Sequence, residues 1–296
     1  MVLVALGGCK PEAEAPATPP LASAGAPVEG THHRITGTVV SANAERGSLL
    51  VDHDEIPGFM PAMTMEFKAG PGDVANARPG QRIRGVTSQS TDGFRLEQVW
   101  PDDQAASRVI DEAGRDLRQD TVTRGVGVYR EIGERMPDFA LYDQTGAVVQ
   151  ASRFRGRQIV LNFIFTRCPD PNMCPAATAR MIALQYAARE AAVTNFELVS
   201  ISLDPEFDTP GVLREYAHTR GVDTGNFSFL TGPERAIKDL LKQLGVETLD
   251  SGPLLKHTLA TVLIDDTGKI IHRVDGSKWD PAEFVSRLRP PTPPPL

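Results

Sequence analysis

The sequence has few cysteines, no excess of positive charge and, beyond its first residues, no long apolar run. Three cysteines in 296 residues are too few for a disulfide scaffold, though they suffice for one anchor and one functional pair. Lys and Arg number 31 against 38 Asp and Glu, a net charge of −7, so no domain-sized basic surface is available to hold a phosphate backbone. Nucleic acid is therefore not an expected partner. Past the start, no stretch approaches the roughly 18 to 20 uncharged residues needed to cross a bilayer, so only an anchor would hold the chain at a membrane. What is present is 41% apolar content over 296 residues. That length suits about two domains of roughly 150 residues, each with a modest core.

Residues 1–31 open apolar and then turn rich in Pro and Ala, the composition of an extended tether. Leu6-Gly7-Gly8-Cys9 resembles the lipobox of bacterial lipoproteins, which implies a lipid on Cys9 and a periplasm-facing, membrane-anchored protein. Residues 32–102 carry five short alternating segments punctuated by turns, a pattern that predicts a small β-barrel of the OB type. Residues 103–130 are polar with sparse apolar positions and read as a linker, with at most one weak helix. From 131 to 289 strands alternate with helices in the order of an α/β thioredoxin-like domain, and 290–296 form a Pro-rich tail.

Cys168 follows a buried-looking strand, and Cys174 immediately precedes Pro175, which suits the first position of a helix. A thiol at a helix N-terminus meets unpaired N–H groups and the positive end of the dipole, which favours its thiolate as nucleophile or ligand. Pro169 and Pro171 forbid regular helix between the two cysteines, so the loop is free to fold back and bring the sulfurs together. His257 lies just before a strand that this topology runs beside the cysteine strand. Two thiolates and one imidazole suit copper, because sulfur selects Cu(I) and the mixed set still tolerates Cu(II).

The segments LNFIFTRCP (161–169) and SLDPEFDTP (202–210), with His257 before TVLID, resemble the Sco/SenC family over about residues 130–290. The resemblance implies a thioredoxin-like copper chaperone that helps load the copper centre of cytochrome c oxidase through Cys168, Cys174 and His257. The family usually places its cysteines closer together than the five intervening residues found here. Asp204 and Asp208 resemble acidic positions near that site, but equally suit capping of the helix that begins near Thr209.

Three of the seven methionines, Met60, Met63 and Met65, fall within six residues. Met63 and Met65 share a strand face, and His53 on the preceding strand is placed to lie opposite them. Thioethers are soft, neutral ligands, and with one imidazole they match Cu(I) or Ag(I) far better than zinc or magnesium. The bland alternative is a barrel core filled by flexible methionine. A His followed by a Met-Thr-Met strand resembles the CusF-like periplasmic copper-binding barrels. Those commonly cap the metal with a Trp, where this sequence has Phe59-Met60, which makes Met60 a candidate third thioether. His32 and His33 read as an exposed pair without a metal role.

Together these features predict a periplasmic copper metallochaperone that captures Cu(I) and delivers copper to an acceptor such as a cytochrome c oxidase subunit. The rivals are a thiol–disulfide oxidoreductase using Cys168 and Cys174, and a copper resistance or storage protein. The first of these lacks both the usual Cys-x-x-Cys spacing and any use for the methionine cluster.

Overall fold

The computed structural model describes residues 32–125, 127–251 and 254–288, of which 248–251 and 254–257 in backbone only. Cys9, the tether and the Pro-rich tail thus lie outside the described residues. The first half of the body is a closed barrel of β1 (His33–Asn43), β2 (Ser48–His53), β3 (Met63–Lys68), β4 (Arg82–Ser90) and β5 (Gly93–Pro101), in the order β1-β2-β3-β5-β4. β1 pairs with both β2 and β4, which closes the ring, and β3 meets β5 in parallel. This is the OB-type barrel expected from the alternation. Its interior is filled by Ile35, Val39, Leu49, Val51, Phe67, Ile83 and Leu96, the inward positions of successive strands. Between β3 and β4 the short helix α1 (Pro71–Asn76), with a proline at its start, covers one barrel end.

The expected linker is a helix of 21 residues, α2 (Gln104–Arg124). Asp103 caps it, accepting from the backbone N–H of Ala105 and Ala106, and Gly125 ends it with φ 97°. Its buried positions, Ile110, Gly114 and Leu117, recur at a four- and three-residue step that makes a narrow stripe. That stripe is too thin to stand out among so many charges. It becomes helix because Ile110 packs with Ala140 and Tyr142, while Gln243 donates to the Leu117 carbonyl and the Thr121 hydroxyl.

The second half is a seven-stranded sheet, built from β6 (Ala140–Asp143), β7 (Val148–Gln150), β8 (Gln158–Ile164), β9 (Phe196–Ser202) and β10 (Phe227–Thr231), with β13 (Ala260–Ile264) and β14 (Ile270–Asp275). A separate hairpin, β11 (Thr248–Ser251) and β12 (Leu254–His257), precedes β13. The sheet order is β14-β13-β8-β9-β10-β6-β7, with β8, β9 and β10 parallel and β13 antiparallel to β8. Every residue of β8, β9 and β10 is buried, as befits parallel strands covered on both faces. The helices are α3 (Cys174–Glu190), α4 (Pro210–Thr219), α5 (Glu234–Gln243) and α6 (Pro281–Arg287). These are the strands and helices expected from the alternating texture, to which the structure adds the β6–β7 and β11–β12 pairs. Among the described residues no helix is long and apolar enough to cross a membrane.

The described residues form one compact unit, so the two halves are docked rather than strung on a flexible link. α1 lies on α4 so closely that a Cβ on Gly72 would meet the Gly211 carbonyl oxygen at 1.9 Å. Only glycine permits that approach. Arg214 donates to the Ala75 carbonyl and the Asn76 side chain at 3.1 and 2.7 Å, and Asn76 donates to the Gln144 carbonyl at 3.0 Å. The Trp100 ring packs on Tyr142 at 5.9 Å.

Candidate metal centres

The cysteine loop leaves the end of β8 and closes where α3 begins. Asp170 turns it: the Met173 N–H donates to its carbonyl at 3.1 Å, and the Asn172 N–H to its carboxylate at 2.8 Å. The Cys168 sulfur sits 3.8 Å from the same carbonyl. As the prolines allowed, the loop folds back and sets the Cys168 thiol within hydrogen-bonding reach of Cys174. Neither cysteine is in a disulfide, and Cys168 is partly exposed while Cys174 is fully buried.

Burial, with the neighbouring Cys168 sulfur, pushes the Cys174 thiol well above its ordinary range, against a hydrogen bond from the Phe165 backbone. The expected activation by the helix N-terminus is therefore overturned at Cys174. The dipole contributes about 0.3–1 kcal/mol, whereas removing water from a thiolate costs more when no cation replaces it.

Two acidic residues from the β9–α4 loop hold the cysteine loop in place. Asp208 is buried and accepts from the Thr166 hydroxyl, the Thr166 N–H at 3.2 Å and the Ser202 hydroxyl at 2.6 Å. Burial raises its carboxyl to about 6 despite those bonds. It does not cap α4: that role falls to Thr209, whose hydroxyl accepts from the Val212 N–H at 3.4 Å. Asp204 accepts from the Arg167 Nε at 2.5 Å, and the Arg167 guanidinium lies over the exposed Phe207 ring at 4.9 Å.

His257 ends β12, and its side chain lies outside the described residues. In the backbone it opposes Thr248, three residues before β13 starts. Since β13 runs antiparallel to β8, its first residues stand at the sheet end from which the cysteine loop departs. Among the described residues no three His, Cys, Asp or Glu side chains gather into a metal-binding group.

At the barrel mouth, register places His53 directly opposite Met63, and Val51 opposite Met65. Directly opposite residues have Cβ atoms about 4.5–5.5 Å apart. On its other side His53 opposes Gly37, where a Cβ would lie 2.7 Å from the Asp52 carbonyl oxygen and 2.8 Å from the His53 Cα. Glycine at position 37 lets β2 come this close. His53 is buried, its Nδ1 is 2.8 Å from the Asp54 carbonyl, and its Nε2 is buried without a hydrogen-bond partner. A buried imidazole nitrogen without a partner is costly, and a bound cation would satisfy it. With the Nδ1 proton held by a carbonyl, Nε2 is left with a lone pair, the arrangement typical of metal-ligating histidine.

Met63 is 46% exposed, so its thioether is open to solvent, while Met60 and Met65 pack partly against the barrel core. The bland alternative is thus half true: these side chains fill space as well as line the mouth. The turn between β2 and β3 is closed by a bridge from Ile56 to Met60. It carries Phe59 onto His33, with ring centroids 3.8 Å apart and planes within 8°. His33 is therefore not the exposed residue expected, although His32 is. Sequence reasoning missed this stack because the two rings meet only when the barrel closes.

A thioredoxin-like sheet with two cysteines outside any disulfide at one end, docked to a closed barrel with thioethers and an unpaired imidazole nitrogen at its mouth, defines a two-domain protein rich in soft sulfur groups. The chain belongs to the SCO1/SenC family, whose model matches residues 129–290, and residues 32–101 match the model of the copper binding periplasmic protein CusF. It is 30% identical over 172 residues to a SCO2-like protein of Rickettsia conorii, covering 54% of this chain and 80% of that one. It is 28% identical to the SCO1 protein homolog of Bacillus subtilis, covering 50% and 77%. A SCO1/SenC family lipoprotein from Bacillus anthracis superposes with a TM-score of 0.49 at 26% identity, covering 54% of this chain and 97% of that structure.

Proposed function

We propose that this chain is a copper carrier with two sites: a barrel that captures Cu(I) through His53, Met63 and Met65, assisted by Met60, and a thioredoxin-like domain that binds copper through Cys168, Cys174 and His257. The observation that carries it is the buried, unpartnered Nε2 of His53, a residue whose cross-strand partner is the exposed Met63. Neutral thioethers and a neutral imidazole cannot offset the charge of a hard cation, whereas they suit a soft monovalent one. The cysteine pair complements this. Two thiols lose their protons as copper binds, so two thiolates form only where a cation compensates them in a buried place.

Copper held at the cysteine site is destined for an acceptor such as a cytochrome c oxidase subunit, as the family resemblance implies. Cys9 is lipidated and tethers the body to the periplasmic face of a bacterial membrane. The deciding experiment is titration of the full chain with Cu(I), read by X-ray absorption. Two ions per chain are expected, one with sulfur and nitrogen in a thioether site and one with two short sulfur bonds. A single ion, or an all-nitrogen and oxygen shell, would overturn the assignment.

A second reading, a thiol–disulfide oxidoreductase, draws on the closeness of the Cys168 and Cys174 sulfurs. It makes Cys168 the attacking sulfur, because burial disfavours the Cys174 thiolate and only Cys168 has exposed surface. Disulfide-reductase activity that survives His257→Ala while copper spectra stay unchanged would favour it.

A further inference from the structure

Burial is lopsided at the barrel mouth. His53 is the last residue of β2, at the rim, yet it is only 2% exposed, while Met63 across from it is 46% exposed. The segment that follows His53 accounts for the difference, because it turns back over the barrel. Ile56 is buried in the barrel core, and Phe59 and Met60 pack against that core. Ile56 to Met60 form a closed turn: the Ile56 N–H donates to the Met60 carbonyl at 2.9 Å, and the Phe59 and Met60 N–H groups both donate to the Ile56 carbonyl at 3.0 Å.

Phe59 is the part of this turn that reaches the far walls. Its ring stacks on His33 of β1 at 3.8 Å and meets Phe94 of β5 edge-on at 6.1 Å. In the closed ring of strands, β1 and β5 lie on opposite flanks of the β2–β3 hairpin and are not neighbours. One side chain touches both by lying across the opening. Alternation puts His33 on the inward face with Ile35, and Phe94 on that face with Leu96, so both contacts are made inside the rim. His33 holds Phe59 through the face of its ring, and its Nε2 is buried without a hydrogen-bond partner. It stands four residues along β1 from Gly37, the position facing His53, which is roughly 14 Å of strand. The stack, and not a shared ion, connects it to the site.

We propose that His33 is a positioning residue of the barrel site: without binding copper, it latches the Ile56–Met60 turn over His53 and so sets how fast the ion is surrendered. This deepens the reading of the barrel as a Cu(I) site and rests on it. Opening the turn separates the stacked rings and uncovers the buried His53 side of the rim, so that a competing ligand reaches the ion from there as well as past Met63. Loss of one aromatic stack raises the population of the open turn roughly three- to tenfold.

The test uses the full chain carrying Cys168→Ser and Cys174→Ser, so that the barrel alone holds Cu(I), and follows removal of the ion by an excess of a bidentate aromatic-nitrogen chelator whose Cu(I) complex is coloured. In this parent, His33→Ala and Phe59→Ala should each speed removal roughly three- to tenfold, and the double variant by no more than either, because both break the same contact. His33→Phe keeps the stack and removes the unpaired nitrogen, so it should release copper at the parent rate, with the same nitrogen count by X-ray absorption. A parent-like rate in His33→Ala, additive effects of the two alanines, or release as fast in His33→Phe as in His33→Ala would overturn the proposal. Loss of a nitrogen ligand in His33→Phe would overturn it too, by making His33 a ligand.

The latch is also readable without metal. The Phe59 and Met60 amides, both bonded to the Ile56 carbonyl, should exchange hydrogen faster by the same factor in His33→Ala, while the Val39 amide, bonded to the Gln81 carbonyl further along β1, should keep its parent rate. Should the parent take up no Cu(I), the barrel-site reading fails and amide exchange decides the latch by itself. Unchanged exchange at Phe59 and Met60 would sink it, and so would faster exchange at Val39 as well, which would mean that His33 holds the barrel and not the turn.

Discussion

The barrel mouth and the cysteine loop are both soft-donor sites, yet they are built by opposite means. At the mouth the donors are neutral and sit on regular antiparallel strands, so register alone sets His53 against Met63. At the loop the donors are acids on an irregular segment, held by Asp170 within it and by Asp204 and Asp208 beneath it. A neutral site needs a precise backbone and little else. An acidic site must also manage protons, and burial pushes the Cys174 thiol above its ordinary range.

The comparison breaks most sharply under mutation of the thiols. Cys168→Ser with Cys174→Ser should abolish copper binding by the thioredoxin-like domain and leave the barrel affinity unchanged, as measured by competition titration of the full chain. Loss at both sites would show that they are not separate.

Acidification comes next in size. Thiolate ligands must lose their protons to bind, so the affinity of the cysteine site should fall steeply as the pH is lowered. The thioether sulfurs carry no proton, so the barrel site should lose less. Equal pH slopes at the two sites, in titrations at pH 6 and 7, would show that the thiols are not ligands.

The docking of the barrel on the second domain has its own pH dependence. Asp73 is buried in α1 against α4, and burial together with Glu215 raises its carboxyl to about 7, while Arg214 is engaged with Ala75 and Asn76. A carboxyl whose folded value is raised favours the docked state below its free value, and that advantage is lost as the pH climbs through about 7. The full shift corresponds to on the order of 4 kcal/mol. Thermal unfolding should therefore show the wild type more stable at pH 5 than at pH 8, with that difference reduced in Asp73→Asn.

Smallest are the changes at the mouth itself. Met63→Ala with Met65→Ala should weaken Cu(I) by at least about tenfold, corresponding to 1.4 kcal/mol or more, and Met60→Ala by less. An equal loss from Met60 alone would move that residue from cover to principal ligand.

Much of this was legible in the chain. Alternation at period two marked the five barrel strands, and the apolar-rich segments IVLNFIF and FELVSISL marked β8 and β9, because burial on one face or on both leaves its own pattern in a strand. The proline-interrupted cysteine segment announced a loop that could fold back. The spacing of Met63 and Met65 announced a shared face, since side-chain direction on a strand alternates whatever surrounds it. These are local consequences of backbone geometry, and they need no partner.

What required the tertiary structure was every feature set by a second segment. α2 has a thin apolar stripe that becomes a helix only against β6 and α5. Gly72 and Gly211, 139 positions apart, mean nothing until α1 lies on α4. Phe59 found His33, and Asp208 chose Thr166 over the helix start, through contacts that close only in the folded chain. Above all, the docking of the barrel on the second domain was decided by such contacts, because a sequence lists its donors but the packing of one domain on another determines which of them can meet.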